Sequence, residues 1–287
     1  MLYEAQFRSP AGGAQILKAI ADLHLPELSI MEVCGTHTMA IAKSGLRQLL
    51  PPQIHLISGP GCPVCVTPAG VMDEILRLSE NPNVILTTYG DLLRVPGSVH
   101  GDNWQRRKAL GADVRMVYSP MDSLDMAEQE PDREVIFLGV GFETTAPGTA
   151  IAVREARDRG LKNFSVLSML KRTESALRAL IEGESFQVSG FLCPGHVATI
   201  VGADGFAFLP EEYGIPSVIS GFEAGDILAA VYRLLRQIKE GTPRLENEYT
   251  RAVAPEGNRM AQAVLAETFT YQDDVWRGLG TIPDSGY

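Results

Sequence analysis

Three cysteines carry the densest chemical signal in this 287-residue chain. Cys34 stands in Cys34-Gly35-Thr36-His37-Thr38, and Cys62 and Cys65 stand in Gly59-Pro60-Gly61-Cys62-Pro63-Val64-Cys65. Each segment begins where an apolar, strand-like run stops, which would gather the thiols on one rim of a sheet. Thiolates ligate soft metals and exchange with disulfides, so such a rim suits a soft metal or thiol redox chemistry. The spacing of Cys62 and Cys65 serves a chelate or a dithiol–disulfide couple and does not choose between them. Gly59-Pro60-Gly61 and Pro63 make a stiff turn expected to hold both sulfurs outward. Cys34 lies just ahead of a helix whose first turn includes Thr36 to Thr38, and its N–H groups are expected to lower the thiol pKa. The alternative for Cys34 is a small buried residue at a strand end, with Thr36 and Thr38 capping. His37 can be a ligand, a base or a hydrogen-bonded neighbour. Cys34, Cys62, Cys65 and His37 would also complete a structural zinc set, although ligands separated by a whole βα unit suit an open site better.

The elements that must position these residues follow a βαβ rhythm. Strand patterns run over Ser29 to Val33, Ile54 to Ser58, Val84 to Thr88, Val114 to Tyr118, Val135 to Val140, Phe164 to Met169, Val188 to Leu192 and Ser217 to Ser220. Helical patterns run over Ala40 to Leu50, Ala69 to Glu80, Asn103 to Leu110 and Met121 to Glu130, then over Ala150 to Arg159, Glu174 to Glu182 and Ala224 to Glu240. The alternation predicts an α/β fold with mainly parallel sheets. The polar, proline-bearing Glu130-Pro131-Asp132-Arg133 predicts two Rossmann-like subdomains, residues 1–130 and 131–240, with a cleft between them. Residues 241–287 read as one helix, about Gly257 to Thr268, and an extended tail.

In parallel α/β sheets, ligands bind beyond the carboxyl ends of the strands. Gly141-Phe142-Glu143-Thr144-Thr145 and Cys193-Pro194-Gly195-His196 fall there as the cysteine motifs do, so all four loops are expected to line the cleft. Glu143 is a candidate proton acceptor or partner contact, against a reading of the loop as a helix cap made by Thr144 or Thr145. His196 is a candidate site residue, and Gly35, Thr36, Thr38, Thr144 and Thr145 are candidate cofactor contacts of the same loops. Cys193, flanked by Phe191 and Leu192, reads as a buried small residue. Gly141-Phe142-Glu143 recurs as Gly221-Phe222-Glu223, an echo too short to prove duplication.

Composition excludes several classes. An apolar fraction of 45% is that of a globular protein. No apolar run approaches the roughly 18 residues that cross a bilayer. Met1 to Arg8 lacks the apolar core of a secretory signal, which predicts a cytoplasmic protein whose cysteines serve chemistry. A net charge of −10 argues against a polyanion binder. No Walker loop, Gly-x-Gly-x-x-Gly after the first strand or Gly-x-Ser-x-Gly elbow occurs.

Taken together, Met31-Glu32-Val33-Cys34-Gly35-Thr36-His37-Thr38, Gly59 to Cys65, Gly141 to Thr145 and Pro194-Gly195-His196-Val197 resemble the motifs of the HypD family of [NiFe]-hydrogenase maturation factors. The resemblance extends over Arg94 to Ser98, Val114 to Pro120 and Trp276 to Gly280. It implies a scaffold more than a turnover enzyme, on which an Fe(CN)2CO centre is assembled with a small HypC-type chaperone and a HypE-type cyanide donor. By position, Cys34 matches the family's iron-binding cysteine, and Cys62 and Cys65 match its redox-active pair. Relatives continue past the equivalent of Ser285-Gly286 into a cysteine-rich segment holding a [4Fe-4S] cluster. This sequence reaches Tyr287 with Cys193 as its one remaining cysteine, so the resemblance implies a cluster whose ligands the chain does not carry. Ser168-Met169-Leu170-Lys171-Arg172 also departs from the Asn-His pattern of many relatives.

Overall fold

The computed structural model describes residues 10–287, so the reading of Met1 to Arg8 lies outside the described residues. The strands are β1 (Leu28–Glu32), β2 (Ile54–Ser58), β3 (Val84–Thr88), β4 (Val114–Met116), β5 (Glu134–Gly141) and β6 (Phe164–Leu170). They continue as β7 (Gly190–Pro194), β8 (Ser217–Ser220), β9 (Leu245–Asn247), β10 (Gln272–Trp276) and β11 (Gly280–Gly286). The helices are α1 (Pro10–Ala21), α2 (Gly35–Ser44), α3 (Leu46–Leu49), α4 (Pro63–Val66), α5 (Ala69–Leu78), α6 (Trp104–Ala109) and α7 (Pro120–Gln129). After them come α8 (Ala146–Asp158), α9 (Thr173–Ile181), α10 (Gly195–Val201), α11 (Phe208–Tyr213), α12 (Ala224–Glu240) and α13 (Arg259–Thr268). None of these helices is long and apolar enough to cross a membrane.

The chain forms two compact units, each assembled from separated segments. The first takes the residues through Gly61 together with Leu180–Arg259, and the second takes Cys62–Ala179 and Met260–Tyr287. The expected boundary after Glu130 is therefore corrected: β3 and β5 pair across it, with Val84 opposite Glu134. Glu130 to Arg133 is a surface turn whose polarity is consumed locally, Arg133 bonding both Asp113 and Glu130. Proline and charge mark a turn equally well whether or not a domain ends there.

In the first unit the sheet order is β2-β1-β7-β8-β9, all parallel. Helix α12 opens with a capping box between Glu223 and Asp226 and closes at Gly241, whose φ of 64° suits a residue without a side chain. Its Ile227, Val231 and Leu234 recur at helical spacing and pack with Ile30, Leu56, Leu192 and Val218 of the sheet. The helix begins at Gly35, directly after Cys34, with Thr36 to Thr38 in its first turn as expected, and the pattern read over Ala40 to Leu50 breaks at Gly45, where φ is again 64°.

In the second unit the order is β4-β3-β5-β6, also all parallel. Met72, Ile75 and Leu76 of α5 pack with Leu86, Leu138 and Val140. The tail expected to be extended is an antiparallel hairpin, β10 against β11. Buried Lys171 clamps it by donating to Asp274 and to the Val275 carbonyl, and the Trp276 indole N–H donates to Ser285 Oγ at 2.9 Å. The Arg277 N–H donates to the Val66 carbonyl at 2.7 Å, which ties the hairpin to the last residue of α4.

Candidate functional site

Strand β1 delivers Cys34 to the N-cap of α2, in extended backbone with φ −149° and ψ 121°. Two straps hold it there. Glu32, 1% exposed, accepts the Cys34 N–H through Oε2 at 3.1 Å and the Thr38 hydroxyl through Oε1 at 2.5 Å. On the other side the Gly35 N–H donates to the Gly61 carbonyl at 3.1 Å, and the Gly59 N–H donates to the Glu32 carbonyl at 2.7 Å. A Cβ on Gly61 would overlap Cys34 N and Val33 C, so the approach of these two segments requires glycine. The Cys34 thiol is free and half-buried. Burial pushes its pKa up, and the Glu32 carboxylate adds to this; hydrogen bonds from the His37 and Thr36 backbone and the Thr36 hydroxyl pull it down without overcoming burial. The expected lowered pKa is thus corrected: the helix start pulls the pKa down, but desolvation wins.

His37 is fully buried. Its Nε2–H donates to the Gly221 carbonyl at 2.9 Å, and its Nδ1 has no hydrogen-bond partner. Burial lowers its pKa to about 4, so the ring is neutral at pH 7. It stacks on Phe222 with ring centroids 4.6 Å apart, and exposed His196, which opens α10, stacks on the same ring at 3.9 Å. Burial also lowers the His196 pKa. Tyr249 meets Phe222 edge-on at 5.9 Å, and the Arg251 guanidinium lies over Tyr249 at 4.5 Å. Arg251 donates to Asp226 Oδ2, while Asp226 Oδ1 and Glu248 Oε2 are buried without a partner. Burial, reinforced by the Asp226 carboxylate, raises the Glu248 pKa to about 7, against the pull of Arg251, Arg233 and the Gly221 N–H. Cys193 is fully buried in β7, and burial drives its thiol far above the ordinary range.

In the second unit Cys62 and Cys65 are joined as a disulfide, their Cα atoms 5.2 Å apart. Cys62 is the N-cap of α4, Pro63 sets the first turn, and Cys62 Sγ accepts the Cys65 N–H at 3.1 Å. Cys65 is exposed. Glu143 faces inward: its carboxylate accepts the Thr173 N–H and the Thr173 hydroxyl, each at 2.7 Å, at the start of α9. Burial raises its pKa, and those bonds pull the other way. The geometry makes Glu143 a cap for α9. Thr145 is the N-cap of α8 without a side-chain cap bond, and Thr144 is exposed.

The two histidines therefore meet on Phe222 within the first unit, which also holds Cys34, Gly35, Thr36 and Thr38, whereas Cys62, Cys65, Glu143, Thr144 and Thr145 belong to the second. Among the described residues no three His, Cys, Asp or Glu side chains form a metal-holding group. The cysteines present do not fit a [4Fe-4S] cluster, since two are joined to each other and Cys193 is buried in a strand. Sequence reasoning missed Glu32, Phe222 and Glu248. Glu32 occupies a strand position where its charge gives no sign of its partners. Phe222 was signalled by the echo of Gly141-Phe142-Glu143: both triplets lie at the carboxyl end of a parallel strand, yet Phe222 carries the histidines while Phe142 packs 6.0 Å from Trp276.

The family described as "HypD: Hydrogenase formation hypA family" matches residues 13–287. The chain is 43% identical to "Hydrogenase maturation factor HypD" of Rhodobacter capsulatus, over 100% of this chain and 78% of the relative. It is 44% identical to the factor of the same name from Azotobacter vinelandii, over 99% and 77% of the two chains. With the Escherichia coli K12 factor it shares 42% identity over 100% and 78%.

Proposed function

The chain belongs to the HypD family of hydrogenase maturation factors, and from that premise we propose that it is the scaffold on which an Fe(CN)2CO centre is assembled, with iron bound through Cys34. The observation that carries this reading is the free, half-buried Cys34 thiol at the N-cap of α2, in the segment held by Glu32 and by the Gly35–Gly61 strap. A soft thiolate suits low-spin iron carrying strong-field diatomic ligands. Because burial keeps the thiol protonated at neutral pH, iron binding displaces the S–H proton, and the helix start then takes up part of the negative charge left on sulfur. A HypC-type chaperone supplies the remaining thiolate, and a HypE-type protein donates cyanide. Neutral His37 and exposed His196 are the proton-handling groups of this unit, and Gly35, Thr36 and Thr38 shape the loop around the cargo. No nucleic acid takes part, in keeping with the net charge of −10.

A second reading is favoured by the observed Cys62–Cys65 disulfide: the pair acts as a thiol–disulfide couple, with exposed Cys65 open to attack. Iron analysis of the chain purified anaerobically with a HypC-type chaperone separates the two. Assembly on Cys34 predicts about one iron per complex in wild type and in Cys62→Ser, and loss in Cys34→Ser. Equal iron in Cys34→Ser and wild type would overturn it.

A further inference from the structure

We propose that Glu32 is a positioning residue for the cargo-binding thiol, an inference that rests on the reading of Cys34 as iron ligand. A carboxylate in the last position of a buried strand is costly unless each oxygen is satisfied. Here both are, and both partners belong to the turn that presents Cys34. Oε2 takes the N–H of Cys34 itself, and Oε1 takes the hydroxyl of Thr38, one helical turn further along α2. The Thr38 N–H also donates to the Cys34 carbonyl at 3.1 Å. Glu32 therefore fixes the peptide before Cys34 and the first turn after it as one bracket, with Cys34 in the middle.

The consequence is specific to the sulfur. With the Cys34 peptide pinned, the thiol is held in its half-buried place at the start of α2. Without the bracket the N-cap residue rotates about its own backbone, and the thiol leaves its half-buried seat. The Gly61 side of Cys34 offers backbone alone: its carbonyl takes the Gly35 N–H, and a side chain on Gly61 is sterically barred.

The test uses the full chain, alone and with its chaperone. Without reductant, Cys62 and Cys65 are paired and Cys193 is buried, so N-ethylmaleimide reports on Cys34. Glu32→Ala is expected to raise the Cys34 alkylation rate about tenfold, the equivalent of one charge-assisted hydrogen bond. Iron retained by the chaperone complex is expected to fall about tenfold, as for loss of an outer-shell partner. Glu32→Gln keeps an acceptor for the Cys34 N–H and is expected to restore both to within about twofold. Its cyanide and carbonyl infrared bands should lie at higher wavenumber, because a negative charge near the sulfur has gone. Circular dichroism confirms that each variant folds; should Glu32→Ala not fold, Thr38→Val, which removes the far end of the bracket, is expected to raise alkylation severalfold. Wild-type alkylation and iron in folded Glu32→Ala or Thr38→Val would overturn the proposal. A wild-type complex without iron would instead sink the assembly reading, while the alkylation rates would still decide the role of Glu32.

Discussion

Glu248 makes the fold of the first unit sensitive to pH. Its carboxyl titrates at about 7 in the folded chain, against an ordinary value of 4.5. A raised carboxyl pKa means that the folded state disfavours the charged form. The penalty is absent below pH 4.5, grows as the unfolded chain ionises, and is complete above about pH 7. A gap of that size is worth at most about 3.4 kcal/mol, and the partial exposure of the side chain screens it to about 1–2 kcal/mol. Glu248→Gln removes the charge and keeps an acceptor for the Gly221 N–H. Urea unfolding at pH 5 should find the variant about equal to wild type, and at pH 8 more stable by about 1–2 kcal/mol. The groups facing Glu248 are Asp226, Arg251 and Arg233, and the two arginines carry the same charge throughout this range, so the pH dependence belongs to Glu248. A stability difference independent of pH, or one that favours wild type at pH 8, would refute the reasoning.

Three further perturbations follow from the geometry. Gly61→Ala should destabilise by about 1–3 kcal/mol through overlap with the Cys34 backbone, whereas Gly70→Ala, with nothing within 4 Å and in a helix, should be neutral or stabilising in the same urea series. Glu143→Gln turns an amide toward a donor at the start of α9 and should cost about 1–3 kcal/mol in thermal unfolding without altering cargo binding; unchanged stability would contradict its role as a cap. Phe222→Ala opens the cover over His37, so its pKa, measured by NMR titration, should climb from about 4 toward 6.5; an unmoved value would show that other groups bury the ring.

Much of this fold is legible in the sequence because parallel strands buried on both faces read as apolar runs, as in Val84–Thr88 and Ser217–Ser220, where every residue is buried. Strand β9, Leu245–Asn247, and the hairpin strand Gln272–Trp276 escaped because they are polar edge or surface strands set by pairing and not by apolar pattern. The unit boundary escaped because contacts that reunite residues before Gly61 with those after Leu180 leave no local mark. At the site, glycine and cysteine spacing indicated the loops, and the cap position of Cys34 followed from it. The sign of the thiol's pKa shift did not, since burial is a property of the packed whole. Glu143 misled for a related reason: a carboxylate at a strand end looks the same in sequence whether it faces a ligand or a neighbouring helix start.

The central claim is that Cys34 carries the iron centre. It is tested most directly by infrared spectra of the chain isolated anaerobically after production with a HypC-type chaperone and a HypE-type cyanide donor. Cyanide and carbonyl bands should be present in wild type and absent from folded Cys34→Ala. Bands of wild-type intensity in Cys34→Ala, or none in wild type, would contradict the account.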